Sequence, residues 1–392
     1  MKNNSAVCSK MWTDTNIDFK HRTLKHCCKQ LSYLPTEADW DLGAELFEQY
    51  PENLENRRLM LEENTLPPAC SVCHKDSLFK DNWNRWSETR TARYKPSLQT
   101  ADRTEFIELD LGDQCDLACV YCGPWSSTTW KKQLGIPIEP IDTEWQQRIL
   151  DRLYLRLAQT REHEQVHISM LGGEPTLMTS TYDMIERILP HLEHHVHKPT
   201  ISFCTNLNTN SRLMERFLDT MQRTSDRVNW NIGVSMESEG VRAELIRTGL
   251  DWDRFTQNLK RASVAANRVY ITCTHNLLSV PYFHNFVDWL FDTMPIPYNT
   301  DRADERWWEF TNNSVTQGAF SVEYIDTHCV PWQDIYATLE RHGTTPEVAQ
   351  HLEYIHSRTG RAWDAVVTQG IQELHRRIPN LYELFPHVST ND

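Results

Sequence analysis

Residues 104–123 read TEFIELDLGDQCDLACVYCG. The first nine of these residues alternate between apolar and polar side chains, which predicts a strand. Cys115, Cys119 and Cys122 follow with the spacing CxxxCxxC, on the loop that leaves this strand. In α/β folds, the loops after the carboxyl ends of the strands carry the active site. This loop is therefore the first candidate functional site.

The spacing of these three cysteines is not an accident of composition. The chain has 11 cysteines in 392 residues, so about 0.009 triplets with this spacing are expected by chance. Three thiolates this close together can bind an iron–sulfur cluster and leave one iron open. The alternatives are a structural zinc site and three buried thiols. Zinc needs a fourth ligand, and no nearby His or Cys supplies it.

Strand and helix patterns alternate after this loop. Strands are predicted over residues 104–112, 165–173, 200–207, 227–236, 268–278 and 320–328. Helices are predicted over residues 142–163, 181–192, 212–222, 252–265 and 281–294. Such alternation is typical of βαβ units and a parallel sheet. The sequence therefore predicts an α/β fold, a partial (β/α)6 barrel over residues 104–330.

Two further regions flank the predicted barrel. Residues 1–103 form an N-terminal extension or cap, with a helix around Ala38 to Glu63 and a CxxC motif at Cys70 and Cys73. Residues 331–392 form a C-terminal tail that we expect to be mostly helical.

Composition limits the possible partners and compartment. The formal net charge is −14, which argues against general binding to nucleic acid or to an anionic membrane. No run approaches the roughly 18 apolar residues that a membrane helix needs. An odd number of scattered cysteines favours reduced thiols and metal ligands over disulfides. We therefore expect a cytoplasmic protein with no membrane segment and no nucleic-acid partner.

A second motif accompanies the cysteine loop. The second predicted strand ends in GGEP, formed by Gly172, Gly173, Glu174 and Pro175. By itself this motif is an ordinary strand-to-helix turn in which proline starts the helix. Together, CxxxCxxC with the aromatic Tyr121 before its third cysteine, followed by GGEP, resemble the radical S-adenosylmethionine (radical SAM) superfamily.

The resemblance implies a [4Fe–4S] cluster on Cys115, Cys119 and Cys122 and a SAM molecule bound at the open iron. GGEP would bind the amino group of the SAM methionine. Other positions that resemble the SAM-binding residues of the family lie at or after later strand ends, where solvated polar residues are also common. They are Asn206, Ser235, Glu237, Arg247 and Asn276. Leu207 stands where the family's Thr-Asn-Gly turn has glycine.

From about Pro67 to Val388 the chain also resembles twitch-domain-containing radical SAM proteins, so residues 331–392 would be a twitch-like region. Cys70 and Cys73 could bind zinc or a second cluster, or could be reduced structural thiols.

The resemblance implies an enzyme that cleaves SAM reductively to a 5′-deoxyadenosyl radical, which then abstracts hydrogen from a substrate. Its partners would be SAM, a flavodoxin- or ferredoxin-like one-electron donor, and a substrate that is either a peptide or protein, or a small metabolite or nucleotide. The alternative is a non-catalytic iron–sulfur or zinc protein with an interaction or regulatory function on the same fold. Consumption of SAM separates the two interpretations.

Overall fold

A computed structural model of the chain describes residues 8, 10–27, 30–70, 106–295, 308–344 and 346–389. The chain divides into two compact units. The first comprises Met1–Gly112, Glu139–Gly172 and Ser180–Ser202, and the second comprises Asp113–Ile138, Gly173–Thr179 and Phe203–Asp392.

The strands of the first unit are β1 (Asp14–Asp18), β2 (Thr23–Lys25), β3 (Phe106–Asp110) and β4 (His167–Leu171), with the start of β5 (Thr200–Thr205). The first four lie in the order β2-β1-β3-β4. β1 pairs antiparallel with β2, whereas β1–β3 and β3–β4 are parallel. The register aligns Ile17 with Leu109 and Leu109 with Met170, and none of the three is exposed. Burial of this apolar row supports the parallel pairing.

The second unit contains the end of β5 together with β6 (Asn229–Ser235), β7 (Arg268–His275) and β8 (Glu309–Ser314). These strands lie in the order β5-β6-β7-β8, and the β6–β7 and β7–β8 pairs are parallel. Among the strands that the structure describes, the order does not return to its starting strand, so this sheet is open. The predicted α/β class is confirmed: the sheet is mostly parallel and not closed, consistent with a partial barrel.

Capping side chains mark where several helices begin. Ser127, Asp142, Asn210, Asp251 and Asp364 each accept hydrogen bonds from amides of the turn that follows, which satisfies donors that have no partner inside the helix. The helices are α1 (Lys10–Thr13), α2 (Leu46–Gln49), α3 (Pro51–Leu61), α4 (Thr128–Leu134), α5 (Thr143–Ala158), α6 (Thr179–Ile188), α7 (Ser211–Thr224), α8 (Gly240–Ile246), α9 (Trp252–Ala265), α10 (Phe283–Thr293), α11 (Trp332–Arg341), α12 (Pro346–Arg358), α13 (Ala365–Arg377) and α14 (Leu381–Leu384). Within the described ranges, no helix combines the length and apolar character needed to cross a bilayer.

Packing of α7 on the sheet orients the end of β5. The Phe203 ring lies 4.9 Å from the Phe217 ring of α7 and 6.0 Å from the Trp230 ring of β6. All three side chains are fully buried. Because side chains alternate along a strand, Cys204 points to the opposite face of the sheet, where it is half-buried.

The predicted sixth strand, residues 320–328, is wrong. These residues form two short 3₁₀ turns, Val322–Tyr324 and Thr327–Cys329. Ser321 and Asp326 start the turns because their side chains accept hydrogen bonds from amides two residues ahead, a local bond that competes with a strand. The strand that pairs with β7 is β8, whose sequence EFTNNS has little apolar alternation.

The N-terminal extension contains more than the predicted cap. Its β1 joins the sheet beside β3, although its sequence DTNID has no strand signal. The single helix expected around residues 38–63 is divided into a 3₁₀ segment (Glu37–Glu45), α2 and α3. The 3₁₀ segment is kinked at Gly43, which adopts a φ of +60°, and Pro51 starts a new helix, as expected for these residue types.

Candidate functional site

The CxxxCxxC loop runs between β3 and α4 and is held by the first turn of that helix. The Thr129 hydroxyl donates a 2.8 Å hydrogen bond to the carbonyl oxygen of Cys115. The indole N–H of Trp130 donates to the carbonyl oxygen of Cys119 at 3.0 Å. Because these bonds reach the backbone beside two of the three cysteines, the start of α4 sets the path of the loop.

A second segment, residues 246–249, runs along the other side of the loop. The amide of Ala118 donates to the carbonyl oxygen of Thr248 at 2.8 Å. Gly249 has a φ of +101°, and a Cβ there would lie 3.1 Å from the backbone oxygen of Asp116. Glycine therefore permits both the left-handed conformation and the close contact.

The three cysteines differ in exposure. Cys119 is buried, whereas Cys115 and Cys122 are half-buried. Burial raises the pKa of Cys119 to about 12 and raises the pKa of Cys115 above its usual range. These two thiols are therefore protonated at neutral pH unless a metal replaces the proton.

Hydrogen-bond donors surround the sulfur of Cys115. The amide of Leu117 lies 3.5 Å from this Sγ, and the side-chain nitrogen of Asn206 lies 4.0 Å from it. Donors at this position favour the thiolate, the form that binds iron. The Cys119 thiol lies within electrostatic range of both other thiols. The loop thus offers three free thiols, with donors at one of them, to a [4Fe–4S] cluster.

No three His, Cys, Asp or Glu side chains among the described residues are close enough together to bind one metal ion, and this includes the loop cysteines. Thiolates that share a single zinc ion must each approach it to about 2.3 Å. In a [4Fe–4S] cluster the cysteine thiolates bind different irons, so a cluster does not require the three loop thiols to meet at one ion.

The two glycines of GGEP allow neighbouring loops to touch. A Cβ on Gly172 would lie 2.7 Å from the carbonyl oxygen of Gly112, and one on Gly173 would lie 2.5 Å from that of Gln114. Gly172 also has a φ of +121°. Larger residues would therefore separate these backbones, so GGEP has a packing requirement besides any contact with a ligand.

The carboxylate of Glu174 is directed into the protein. It is 1% exposed and accepts hydrogen bonds from the hydroxyls of Thr176 (2.6 Å) and Thr205 (2.7 Å) and from the amide of Asn206 (2.6 Å). Burial raises the pKa of Glu174, and these donors oppose that rise. Glu174 therefore fixes the end of β5, while Pro175 starts the following 3₁₀ turn.

Leu207 adopts a backbone conformation that favours glycine. Its φ is +52°, in the left-handed region, and its side chain is fully buried. The side-chain amide of Asn258 donates to the carbonyl oxygens of Leu207 and Thr209, both at 2.9 Å. Tertiary contacts thus hold this leucine in a conformation that L-amino acids avoid.

Half-buried Tyr121 contacts a buried ion pair formed by Glu237 and Arg247. The Arg247 guanidinium makes two hydrogen bonds to the Glu237 carboxylate, at 3.1 and 2.5 Å. The Tyr121 hydroxyl donates to the same carboxylate at 3.2 Å, and the Arg247 guanidinium carbon lies 5.6 Å from the centre of the Tyr121 ring. Both members of the ion pair are at most 5% exposed. The pair therefore holds the tyrosine that precedes the third loop cysteine.

Comparison with known proteins assigns this region to a family. The sequence model described as the Radical SAM superfamily matches residues 109–285, which include the cysteine loop, GGEP and the Tyr121 group. Residues 109–285 thus match the model of a radical SAM domain. The resemblance noted from the motifs is confirmed for this part of the chain.

The chain is similar to two known proteins. A GTP 3′,8-cyclase from Limosilactobacillus fermentum (strain NBRC 3956 / LMG 18251) is 31% identical over 84 residues, which is 21% of this chain and 22% of that protein. The chain thus matches about a fifth of the length of this curated relative. A solved structure of hexahistidine-tagged anSMEcpe with bound AdoMet is 14% identical, with a TM-score of 0.41, over 65% of this chain and 62% of that one.

Two other predicted positions of the radical SAM domain lie apart from the Tyr121 group. Ser235 is half-buried at the end of β6, with its hydroxyl 3.5 Å from the sulfur of Cys204. Asn276 is fully buried, and its side-chain oxygen accepts hydrogen bonds from the amides of Leu278 and Ser279. The Asn276 side chain therefore shapes its own turn.

Two residues of the radical SAM domain that sequence reasoning missed, Asp116 and Asn208, lie near Cys115. Asp116 accepts hydrogen bonds from the side chains of Asn206 and Asn208. The sequence offered one signal, an acidic residue directly after the first cysteine. The sequence does not reveal that Asn206 and Asn208 are the partners of Asp116, because these two residues follow a different strand, β5.

The proposed second metal site lies outside the radical SAM domain. Cys70 is 7% exposed and packs with Met11, Trp12 and Met60, a largely apolar environment. Cys73 lies outside the described residues. A metal at Cys70 and Cys73 stays a prediction.

Proposed function

We propose that this chain is a radical SAM enzyme that cleaves SAM reductively and uses the resulting radical to remove hydrogen from a substrate. The observation that carries the proposal is the cysteine loop, with its three thiols and its donors at Cys115, inside a radical SAM domain. When bound, the cluster supplies one electron to SAM, and breakage of a sulfonium C–S bond then gives methionine and a 5′-deoxyadenosyl radical.

In this proposal the protein holds and orients the cofactors. Cys115, Cys119 and Cys122 bind three irons, and the start of α4 keeps their loop in place. The buried carboxylates of Glu174 and Glu237 already accept hydrogen bonds from protein donors, so they would position neighbouring residues near SAM. Glu174 fixes Asn206, and Glu237 with Arg247 fixes Tyr121. The remaining SAM contacts would come from the GGEP backbone and the half-buried hydroxyl of Ser235.

The substrate and the electron donor belong to the same proposal. We favour a peptide or protein substrate, by resemblance to twitch-domain proteins, and a flavodoxin- or ferredoxin-like donor. The curated relative is named for a reaction of GTP, so a nucleotide is the competing substrate class. A reducing cytoplasm suits free thiols and an oxygen-sensitive cluster.

The test is formation of 5′-deoxyadenosine by anaerobically reconstituted protein with SAM and dithionite. We expect product and about four irons per chain from the wild type, and neither product nor a stable cluster from Cys119→Ala. The matched control is Cys329→Ala, because Cys329 is an exposed cysteine outside the loop. It should keep both properties.

Three outcomes would contradict the proposal. A wild-type protein that binds no iron would favour the zinc interpretation. A protein that binds iron but forms no product, with or without candidate peptides and nucleotides, would be a non-catalytic cluster protein. Equal product from wild type and Cys119→Ala would mean that this loop does not support the reaction.

A further inference from the structure

Three polar side chains form a closed network next to Cys115. The carboxylate of Asp116 accepts hydrogen bonds from the side-chain nitrogens of Asn206 (3.0 Å) and Asn208 (2.8 Å). Asn206 and Asn208 are only 5% and 3% exposed. The network therefore joins the cysteine loop to the turn that follows β5, and the proposed reaction assigns no function to Asp116 or Asn208.

The network also fixes which end of the Asn206 amide faces Cys115. The side-chain oxygen of Asn206 accepts a hydrogen bond from the amide of Asn208 at 2.7 Å. Its nitrogen is thereby directed to Asp116 and to the sulfur of Cys115, 4.0 Å away. An Asn206 amide turned by 180° would lose these contacts and would place two donors, or two acceptors, opposite each other.

Asn208 connects this arrangement to a third segment. Its side-chain nitrogen also donates to the carbonyl oxygen of Gly249 (3.1 Å), and its oxygen accepts from the amide of Asp251 (2.9 Å). Every side-chain hydrogen-bonding atom of Asn208 thus has a partner. Such fully satisfied buried networks are rigid.

We propose that Asp116 and Asn208 are positioning residues that hold the Asn206 amide at the sulfur of Cys115 and thereby raise the reduction potential of the cluster on this loop. The inference rests on the proposed function, since it requires a cluster there. Its physical basis is charge: the reduced cluster carries one more negative charge than the oxidised cluster, so a donor at a ligand sulfur stabilises the reduced state more.

The test is an EPR-monitored redox titration of the reconstituted protein, with thermal unfolding measured in parallel. Asn206→Ala removes the donor and should lower the potential. Asn208→Ala does not touch Cys115 but should lower the potential in the same direction. The matched control is Asn210→Ala, because Asn210 belongs to the same turn and caps α7 without contacting Asp116. It should lower the unfolding temperature and leave the potential unchanged.

The double variant Asn206→Ala/Asn208→Ala distinguishes positioning from a general effect. If Asn208 acts through Asn206, the double variant should have the potential of Asn206→Ala alone. Asn208→Ser, a smaller change, is the second variant in case Asn208→Ala does not fold, and a lowered potential is expected there too.

The inference is overturned if Asn208→Ala or Asn208→Ser lowers the unfolding temperature but keeps the wild-type potential, or if the two effects add in the double variant. A wild-type protein that forms no EPR-active cluster would overturn the proposed function and this inference together. If the wild type forms the cluster and the substitutions leave its reduction potential unchanged, only the inference is overturned.

Discussion

Replacing Leu207 by glycine and by alanine tests whether the turn after β5 is strained. The Leu207 side chain is fully buried and its φ is +52°. Removal of a buried leucine side chain costs about 2–5 kcal/mol, so both variants should be less stable than the wild type. The two variants differ in the backbone free-energy cost of the left-handed conformation at position 207.

The left-handed conformation costs an L-residue about 1–2 kcal/mol, and glycine avoids this cost. Glycine in turn loses about 0.5–1 kcal/mol relative to alanine through its greater freedom in the unfolded chain. We therefore expect Leu207→Gly to be more stable than Leu207→Ala by about 0.5–1 kcal/mol. The assay is urea unfolding of both variants under identical conditions.

Leu259 is the matched control, because it is equally buried but lies within α9. There glycine should be less stable than alanine by about 1 kcal/mol. If Leu207→Gly were also less stable than Leu207→Ala, the left-handed conformation would carry no cost, and the reasoning would be refuted.

Three further outcomes are expected. Arg247→Met leaves the buried Glu237 carboxylate without its ion-pair partner and should lower the free energy of unfolding in urea by about 3–5 kcal/mol. The double variant with Glu237→Leu should lose less than the sum of the single variants, and simple additivity would count against the pairing. Gly173→Ala places a Cβ 2.5 Å from the Gln114 carbonyl oxygen and should reduce both the urea midpoint and iron loading, so wild-type values for both would contradict the loop contact. Burial lowers the pKa of His275 to about 3, whereas His275 in the unfolded chain takes up a proton near pH 6.5. The contribution of neutral His275 to the free energy of unfolding is therefore fully present above pH 6.5 and falls by up to about 1.4 kcal/mol per pH unit between pH 6.5 and 3. His275→Gln should make the decline less steep, and an unchanged slope would show that another group titrates.

The sequence predicted those elements whose signals are local. The cysteine spacing, GGEP and the alternation of strands and helices between residues 104 and 294 each occupy a few consecutive residues, and the structure places strands and helices there. Prediction failed where a local signal competed with another one. The apolar alternation of residues 320–328 suggested a strand, but Ser321 and Asp326 start turns instead.

The strands that the sequence did not reveal are those whose stability comes from their neighbours. β1 and β8 are rich in polar residues, and each pairs in parallel with a strand that alternates apolar and polar residues, β3 and β7 respectively. Strand propensity depends strongly on such context. The polar sequences of β1 and β8 therefore do not predict that these segments join the sheet.

Three cysteines at CxxxCxxC, a following GGEP motif and the α/β class can be read from the sequence, because each depends on spacing along the chain. How these groups are held depends on tertiary contacts. The Tyr121–Glu237 hydrogen bond spans 116 positions of the sequence, the Asp116–Asn208 contact spans 92, and Asn258 holds the left-handed turn at Leu207. Their geometry depends on packing that brings the ends of different strands together, and no local pattern records it.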